Sequence, residues 1–513
     1  MARLGLVAFG ILAGLVVLGT LELGLWLLGA GEGPPGYDPF AGFSTAVPLF
    51  ERAEREDGTP IYRVSPARLN DPSLAGVPQP EREFLAEKPA GAFRAFVVGG
   101  SSAAGFPYPP EYAFSAWLGR RLRAALPGTP IEVVNAALSG YGSRRELVIV
   151  RELARYQPDL LIVYSGHNEW AESRYYSRLI DMDPRLFRLR ERLFTTRLFT
   201  VVSRLRPFGD PDPEEAVQRL LRDQHQEFVE MFAVFSRRVQ GSDYASAAQL
   251  RQRDLLFRLN LEEIVHAASS AGARVMLLTV SQNFADWPPG ASTHRSGFSG
   301  AEEAEWNAAF EAGERAAAAG ACVPALEAYE RALEIDDEFA DLHYRIAACH
   351  RALGRMEAAR QHYRRASDLD RVPHGAPTYF NEVIREVATE RGQLFLDVDS
   401  LLERESEDGL VGDDLFIEFA HPNLRAHQLI AEAVGEELRR AALPRAANVW
   451  GDGHVDPTPE SLYAANPELR LREHKAIRVV CAVARRESCV AEQEEALRSL
   501  QGGAGPGDRR VRP

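Results

Sequence analysis

Cysteine is scarce in this chain: only Cys322, Cys349, Cys481 and Cys489 occur in 513 residues. So few exclude a disulfide-stapled scaffold, and no zinc spacing is offered, so no metal centre is expected. Cys481 and Cys489 can pair if they lie outside the cytoplasm; burial as small residues on helices accounts for them equally well. Lysine is scarcer still, present only at Lys88 and Lys475. That pattern reflects GC-rich, bacterial coding and carries no functional information. Positive charge is also not in excess, since 59 Lys and Arg face 73 Asp and Glu, for a net charge of -14. No basic face follows from that balance, which excludes nucleic acid as the main partner. What the chain does have is length and apolar content. At 45% hydrophobic it can bury a sizeable core, and 513 residues exceed one ordinary domain.

One apolar run stands out, from Leu4 to about Ala30. A bilayer core needs roughly 20 helical residues, so this run is long enough to span it. Glu22 interrupts it towards the outer end, where a carboxylate costs least. Arg3 precedes the run and the next arginine is Arg52. The positive-inside rule therefore expects a cytoplasmic amino terminus and an extracytoplasmic remainder. A cleaved signal peptide is the competing reading, but the run exceeds the usual apolar region of about 7–15 residues.

Beyond a Gly-, Pro- and charge-rich stretch at 32–60, short apolar strands alternate with amphipathic helices. "AFRAFVVGG", "IEVVNAA", "PDLLIVYSG", "RVMLLTVSQN" and "LFLDVDSLL" read as strands; "SAWLGRRLRAAL", "RRELVIVRELARY" and "LNLEEIVHAASSAGA" read as helices. Continuous apolar strands separated by helices imply parallel pairing with both faces covered, a three-layer α/β/α sandwich. Two insertions break the alternation. Residues 175–250 form a helical region opening with arginine mixed among Leu, Phe and Val. Its helices either pack an apolar side on the core or lie on an acidic membrane surface. In the second insertion Gly320, Ala325, Tyr329, Ala332 and Asp336 recur 34 residues later as Gly354, Ala359, Tyr363, Ala366 and Asp370. Small residues at these places let paired helices approach closely.

Four blocks carry chemistry. "FVVGGSSAAG" ends the first strand of the α/β pattern, "VVNAALSGYGS" the second and "VYSGHNEW" the third, while "DDLFIEFAHPN" stands near the end of the α/β region. Three of them follow strands on the same side of one sheet, where open α/β sheets keep their sites.

With these blocks the chain resembles the SGNH or GDSL-type hydrolase superfamily, and the 34-residue repeat resembles the tetratricopeptide (TPR) repeat. The first resemblance implies a flavodoxin-like three-layer sandwich and ester chemistry without metal or cofactor. It places the nucleophile at Ser101, with Ser102 one residue too late, and the base at His421. The oxyanion donors fall on the amides of Ser101 and Gly140 and on the side chain of Asn168. The acid three residues before the histidine is Glu418, with Asp413 and Asp414 as nearby substitutes. Gly100, Glu169 and Glu418 each stand where the family usually has Asp. His167 and His427 read as ordinary histidines, although His167 is close enough to Asn168 to line a pocket. A side chain at 140 is expected to crowd the substrate.

The resulting layout is an anchor at 1–31, a membrane-proximal spacer at 32–92 and the first part of the hydrolase core at 93–300. TPR-like repeats follow at 301–372, then the last part of the core at 373–440. A helical extension at 441–513 ends in a disordered tail. The expected function is a membrane-anchored, extracytoplasmic serine esterase acting on an acylated glycan or lipid, with a protein partner on the repeats. Alternatives are an O-acyltransferase of an envelope polysaccharide using the same triad, and a catalytically dead TPR scaffold.

Overall fold

The computed structural model describes residues 2–31, 48–65, 68, 82–172, 182–194, 196–203, 247–373, 375–446, 449–451, 455–484 and 486–502. Strands β1 (Phe50–Glu54), β2 (Pro60–Val64) and β3 (Phe84–Leu85) form an antiparallel sheet. Strands β4 (Phe93–Gly99), β5 (Ile131–Asn135), β6 (Leu160–Tyr164), β7 (Arg274–Leu278) and β8 (Leu394–Leu396) form a parallel sheet in the order β5-β4-β6-β7-β8. β4 and β6 are buried along their whole length, as the unbroken apolar sequence of β6 and the mainly apolar one of β4 require. Helices Phe114–Ala125 and Leu424–Arg440 pack together in one layer; Ser143–Leu153, Ala247–Ser270 and Thr378–Glu390 form the other. The protein is an α/β/α sandwich with helical additions.

The strand order matters for function. The chain leaves β4 to one side for β5, then returns past β4 to β6, so the crevice between the carboxyl ends of β4 and β6 is a topological switch point, where such sheets bind ligands. Ser101 begins the helix after β4, and Asn168 follows β6.

Two sequence expectations are corrected. The 32–92 spacer in fact contains β1 to β3, which seal the opposite end of the parallel sheet. Phe50 and Phe84 pack with Phe96 and Tyr156. Buried Arg94 ties the sheets together, donating to Glu132, to the Tyr156 carbonyl and to the Leu85 carbonyl. The strands hid in the charged composition because few of their residues are buried, Phe50 in β1 and Ile61 and Val64 in β2. The second correction concerns "LFLDVDSLL", which is a strand only to Leu396. There Asp397 accepts from Ser400 N at 3.1 Å and starts the helix Val398–Glu405.

The repeat forms two helix pairs, Gly300–Ala318 with Cys322–Ile335 and Ala340–Ala352 with Met356–Leu369. Ala325, Tyr329 and Ala332 are buried, as are Ala359, Tyr363 and Ala366. A Cβ on Gly313 would meet the Tyr329 ring at 2.3 Å, which is why that helix carries glycine there. The second pair docks on the sandwich through Arg364, bound to Asp399 and Glu403, and Arg351, bound to Asp286. The recurring aspartates pin one loop: Asp370 accepts from Gly290 N and Ala291 N, and Asp336 from His294 Nδ1 and Arg295 N.

Of the 175–250 insertion the structure describes helices Pro184–Phe194 and Arg197–Ser203 and the first residues of Ala247–Ser270. Glu191 is fully buried among Arg144, Arg151 and Arg190. Burial raises its carboxyl, yet the three guanidinium groups outweigh this and hold it down at about 2. A folded value below the unfolded one means that this cluster stabilises the fold fully above about pH 4.5 and loses that stabilisation as pH falls towards 2. Glu191→Gln should therefore flatten the acid limb of the Tm-versus-pH curve relative to wild type; an unchanged limb would contradict the ion cluster.

Helix Ala2–Leu27 holds the apolar run and is about 39 Å long at 1.5 Å per residue. Among the described residues, whose side chains begin at Phe9, no helix is long and apolar enough to cross a membrane. At the other end Cys481 and Cys489 form a disulfide. The tail expected to be disordered lies outside the described residues.

Candidate active site

The nucleophile turn is built by glycine. After β4 the chain passes Gly99 and Gly100 into the four-residue helix Ser101–Ala104, closed by Gly105 with φ 94°. A Cβ on Gly100 would stand 2.2 Å from Asn168 Nδ2, so the turn and the β6 loop touch where a larger residue would part them. Ser101 opens the short helix and Ser102 turns inward, donating to the Ala420 carbonyl at 2.8 Å. Ser102 therefore ties the nucleophile turn to the histidine loop.

That loop runs from Phe416 to Pro422, which form an antiparallel bridge, and Ile417 N donates to the His421 carbonyl at 3.0 Å. The closure folds Glu418 back onto the ring of His421. Glu418 Oε1 accepts from His421 Nδ1, from His421 N at 2.9 Å and from Ala420 N at 3.3 Å. His421 Nε2 lies 2.7 Å from Ser101 Oγ. With the Nδ1 proton held by the carboxylate, Nε2 is the lone-pair nitrogen that can accept the serine proton. Asp413 and Asp414 are engaged elsewhere. Asp413 accepts from Asn283 Nδ2, and Asp414 accepts from Glu407 N and Gly412 N.

The oxyanion candidates converge on the same point of the fold. Asn168 Nδ2 donates one hydrogen to the Tyr141 carbonyl at 2.9 Å, which orients the amide and leaves its second hydrogen for a ligand. Among the described residues, the backbone N–H groups of Ser101 and Gly140 have no backbone acceptor. Gly140 has φ 77°, so the left-handed backbone itself calls for glycine there, a reason different from the expected crowding. Arg145 grips the Gly140 carbonyl at 2.6 Å and lies over the Tyr141 ring. Asn168→Ala, which removes one of three candidate donors, should lower kcat by roughly 10^2–10^3-fold. KM should change much less; a change confined to KM would make Asn168 a binding residue only.

One neighbour of the site escaped the sequence reading, and others named there gain contacts. Phe106 packs against the His421 ring with centroids 4.8 Å apart. Glu169 is buried and accepts from Ser143 N at 2.6 Å and Ser143 Oγ at 2.9 Å, fixing the start of the helix after the Gly140 block. The signal for it was its acidic neighbour position to Asn168. His167 accepts from Ala376 N on Nδ1, and burial followed by the nearby His421 pushes it down to about 3, so it stays neutral. His427 is likewise held at about 3, first by burial and then by His421, and stacks on Phe114.

Beside the histidine loop lies a small cleft between the sandwich and the second helix pair. Its walls include Trp287, Tyr344, Tyr363, Gln282, Asn283 and Phe419, and Phe419 packs edge-on to His421 at 5.8 Å. Among the described residues no group of His, Cys, Asp and Glu is placed to hold a metal ion.

Residues 97–347 match the GDSL-like Lipase/Acylhydrolase family, a match that ends before Glu418 and His421. No curated protein matches the chain. Among solved structures, TesA is 15% identical over 68% of this chain and 98% of its own, with a TM-score of 0.28. A GDSL-like lipase from Bacteroides thetaiotaomicron is 10% identical over 70% of this chain and 93% of its own, with a TM-score of 0.30.

Proposed function

Starting from a chain that carries a GDSL-type hydrolase domain and is an ester-hydrolysing enzyme, we propose that it works as a membrane-anchored, extracytoplasmic serine esterase through an acyl-enzyme on Ser101. The observation that carries this reading is the chain of contacts Ser101 Oγ to His421 Nε2 and His421 Nδ1 to Glu418, set at the switch point of the sheet. His421 takes the Ser101 proton as Oγ attacks the ester carbonyl carbon. The charge that develops on the carbonyl oxygen is met by the amides of Ser101 and Gly140 and by Asn168 Nδ2. Collapse breaks the acyl–oxygen bond, and His421 returns the proton to the departing alcohol. Water, deprotonated by the same imidazole, then releases the acid.

Placement outside the cytoplasm is supported by the Cys481–Cys489 bond, since disulfides persist in oxidising compartments. Arg3 before the apolar run and the absence of further arginine until Arg52 support the same side. A reporter enzyme active only in the cytoplasm, fused after Pro513, is expected to be silent; activity would reverse the orientation.

A second reading, acyl transfer to a glycan hydroxyl in place of water, would use the same contacts of Ser101, His421 and Glu418. The two helix pairs are read as TPR-like and offer a surface for a protein partner. Fluorophosphonate labelling, followed by short acyl esters with and without added glycan acceptors, tests the readings together. Labelling with hydrolysis supports the esterase, acceptor-dependent turnover supports the transferase, and no labelling refutes both.

A further inference from the structure

Helices Pro184–Phe194 and Arg197–Ser203 play no part in the catalytic reading. The first turns one side inward, with Phe187 buried against Leu256 and Leu259 and Glu191 in its arginine cluster. The opposite side shows Leu186, Leu189 and Leu193 to solvent, 59%, 54% and 50% exposed. Spacings of three and four residues put them on one stripe, and Arg185 and Arg192, also exposed, share a single line along its flank. Packing on the core accounts for Phe187 and leaves the leucine stripe uncovered.

What covers the stripe is indicated by the neighbouring helix. Glu22 of Ala2–Leu27 accepts from the backbone N–H groups of Arg197 and Leu198 at 2.7 and 2.8 Å. Arg197 Nη1 reaches the Ala30 carbonyl at 3.3 Å, and a Cβ on Gly31 would stand 2.7 Å from the Arg197 carbonyl oxygen. The insertion is thus joined to residues 22–31, the outer end of the apolar run. These contacts also give both oxygens of Glu22 hydrogen-bond donors within an otherwise apolar helix. Glu22 lies about 7.5 Å along the axis from the end of that helix. Helices lying in a membrane interface are immersed by about 5–10 Å, so the depth is matched.

We infer that Pro184–Phe194, with Arg197–Ser203 beside it, lies in the headgroup–acyl boundary of the bilayer. Leu186, Leu189 and Leu193 enter the acyl region, and Arg185 and Arg192 meet acidic headgroups. The hydrolase core is then held at a fixed height and tilt by two contacts, a span and a float. The inference rests on the anchor reading in the proposed function.

The test uses the full chain with Cys322→Ser and Cys349→Ala, reconstituted in phosphatidylcholine vesicles containing phosphatidylglycerol and nitroxide-labelled lipid. A polarity-sensitive fluorophore is placed in turn on Val17→Cys, Leu189→Cys and Val455→Cys. Quenching with a blue shift at 17 and 189, and neither at 455, is the expected result. Quenching at 17 with a water-like signal at 189 overturns the interfacial helix and leaves the anchor standing. Quenching at 189 without 17 supports the helix and overturns the span. A water-like signal at both overturns both. Leu186→Ser with Leu193→Ser should lose the signal at 189 while hydrolysis of a soluble short-chain ester stays at the wild-type rate, which shows that the protein is still folded.

Discussion

Ser101→Ala is expected to lose fluorophosphonate labelling and to slow ester cleavage by a factor on the order of 10^4–10^6, because a nucleophile and its base act as one unit. The hydroxyl that His421 Nε2 approaches at 2.7 Å is that of Ser101, and removing it leaves no oxygen at the head of the relay. Residual turnover would come from the oxyanion donors acting on water. Ser102→Ala is the matched control. Its hydroxyl faces the Ala420 carbonyl, so its loss should cost about 1 kcal/mol of stability with most of the activity retained. Equal labelling of wild type and Ser101→Ala would remove the nucleophile assignment.

The second large effect is expected at Glu418. Glu418 is buried, and its Oε1 gathers the His421 ring and two backbone N–H groups. Glu418→Gln keeps the shape, but its amide can present a donor to Nδ1 and so favour the tautomer whose proton sits on Nε2, facing Ser101. A wrong tautomer in a serine triad lowers kcat by about 10^4-fold, and a loss of that size is expected near neutral pH. Asp414→Asn should lose little, since Asp414 serves the backbone at Glu407 and Gly412. If Glu418→Gln, Asp414→Asn and His421→Ala all kept wild-type turnover, the catalytic reading would fail and the scaffold reading would lead.

The second helix pair borders the candidate site. Tyr344 and Tyr363 line the cleft beside Phe419, and Arg364 and Arg351 clamp the second pair onto the sandwich. Substitutions on surface residues of the first pair, such as Val323, should leave hydrolysis of a small ester unchanged if the pair serves only a partner. Lost hydrolysis there would mean that the insertion props up the site.

Much of the fold was legible because its signals are local. An unbroken apolar strand such as β6 must be covered on both faces, and residues 160–164 alone say so. Glycines around Ser101 and small residues at a 34-residue spacing are equally local, as are the residue types in each chemical block. The strand expected over "LFLDVDSLL" ends before Asp397, where a side-chain cap and a bond to Thr279 redirect a sequence whose apolar content fits either state. The spacer reading of 32–92 failed because β1 to β3 are stabilised from outside themselves. Glu152 accepts from Leu49 N and Phe50 N, and Arg94 and Glu132 hold Leu85, all from distant positions.

By itself the sequence determined the residue types of the relay, the parallel sandwich and the order of the blocks, since periodicity and turn chemistry act over a few residues at a time. Only the tertiary structure decided that Glu418 rather than Asp413 or Asp414 meets His421, and that the Ser101 hydroxyl meets His421 while that of Ser102 meets the Ala420 carbonyl. It also decided that glycine at 140 answers a left-handed backbone, and that the leucine stripe of 184–194 faces away from the core. Each of these depends on where a side chain points after elements up to 320 residues apart in the chain have packed. Steric exclusion and hydrogen-bond closure between distant segments select that direction, and neither leaves a mark on local sequence.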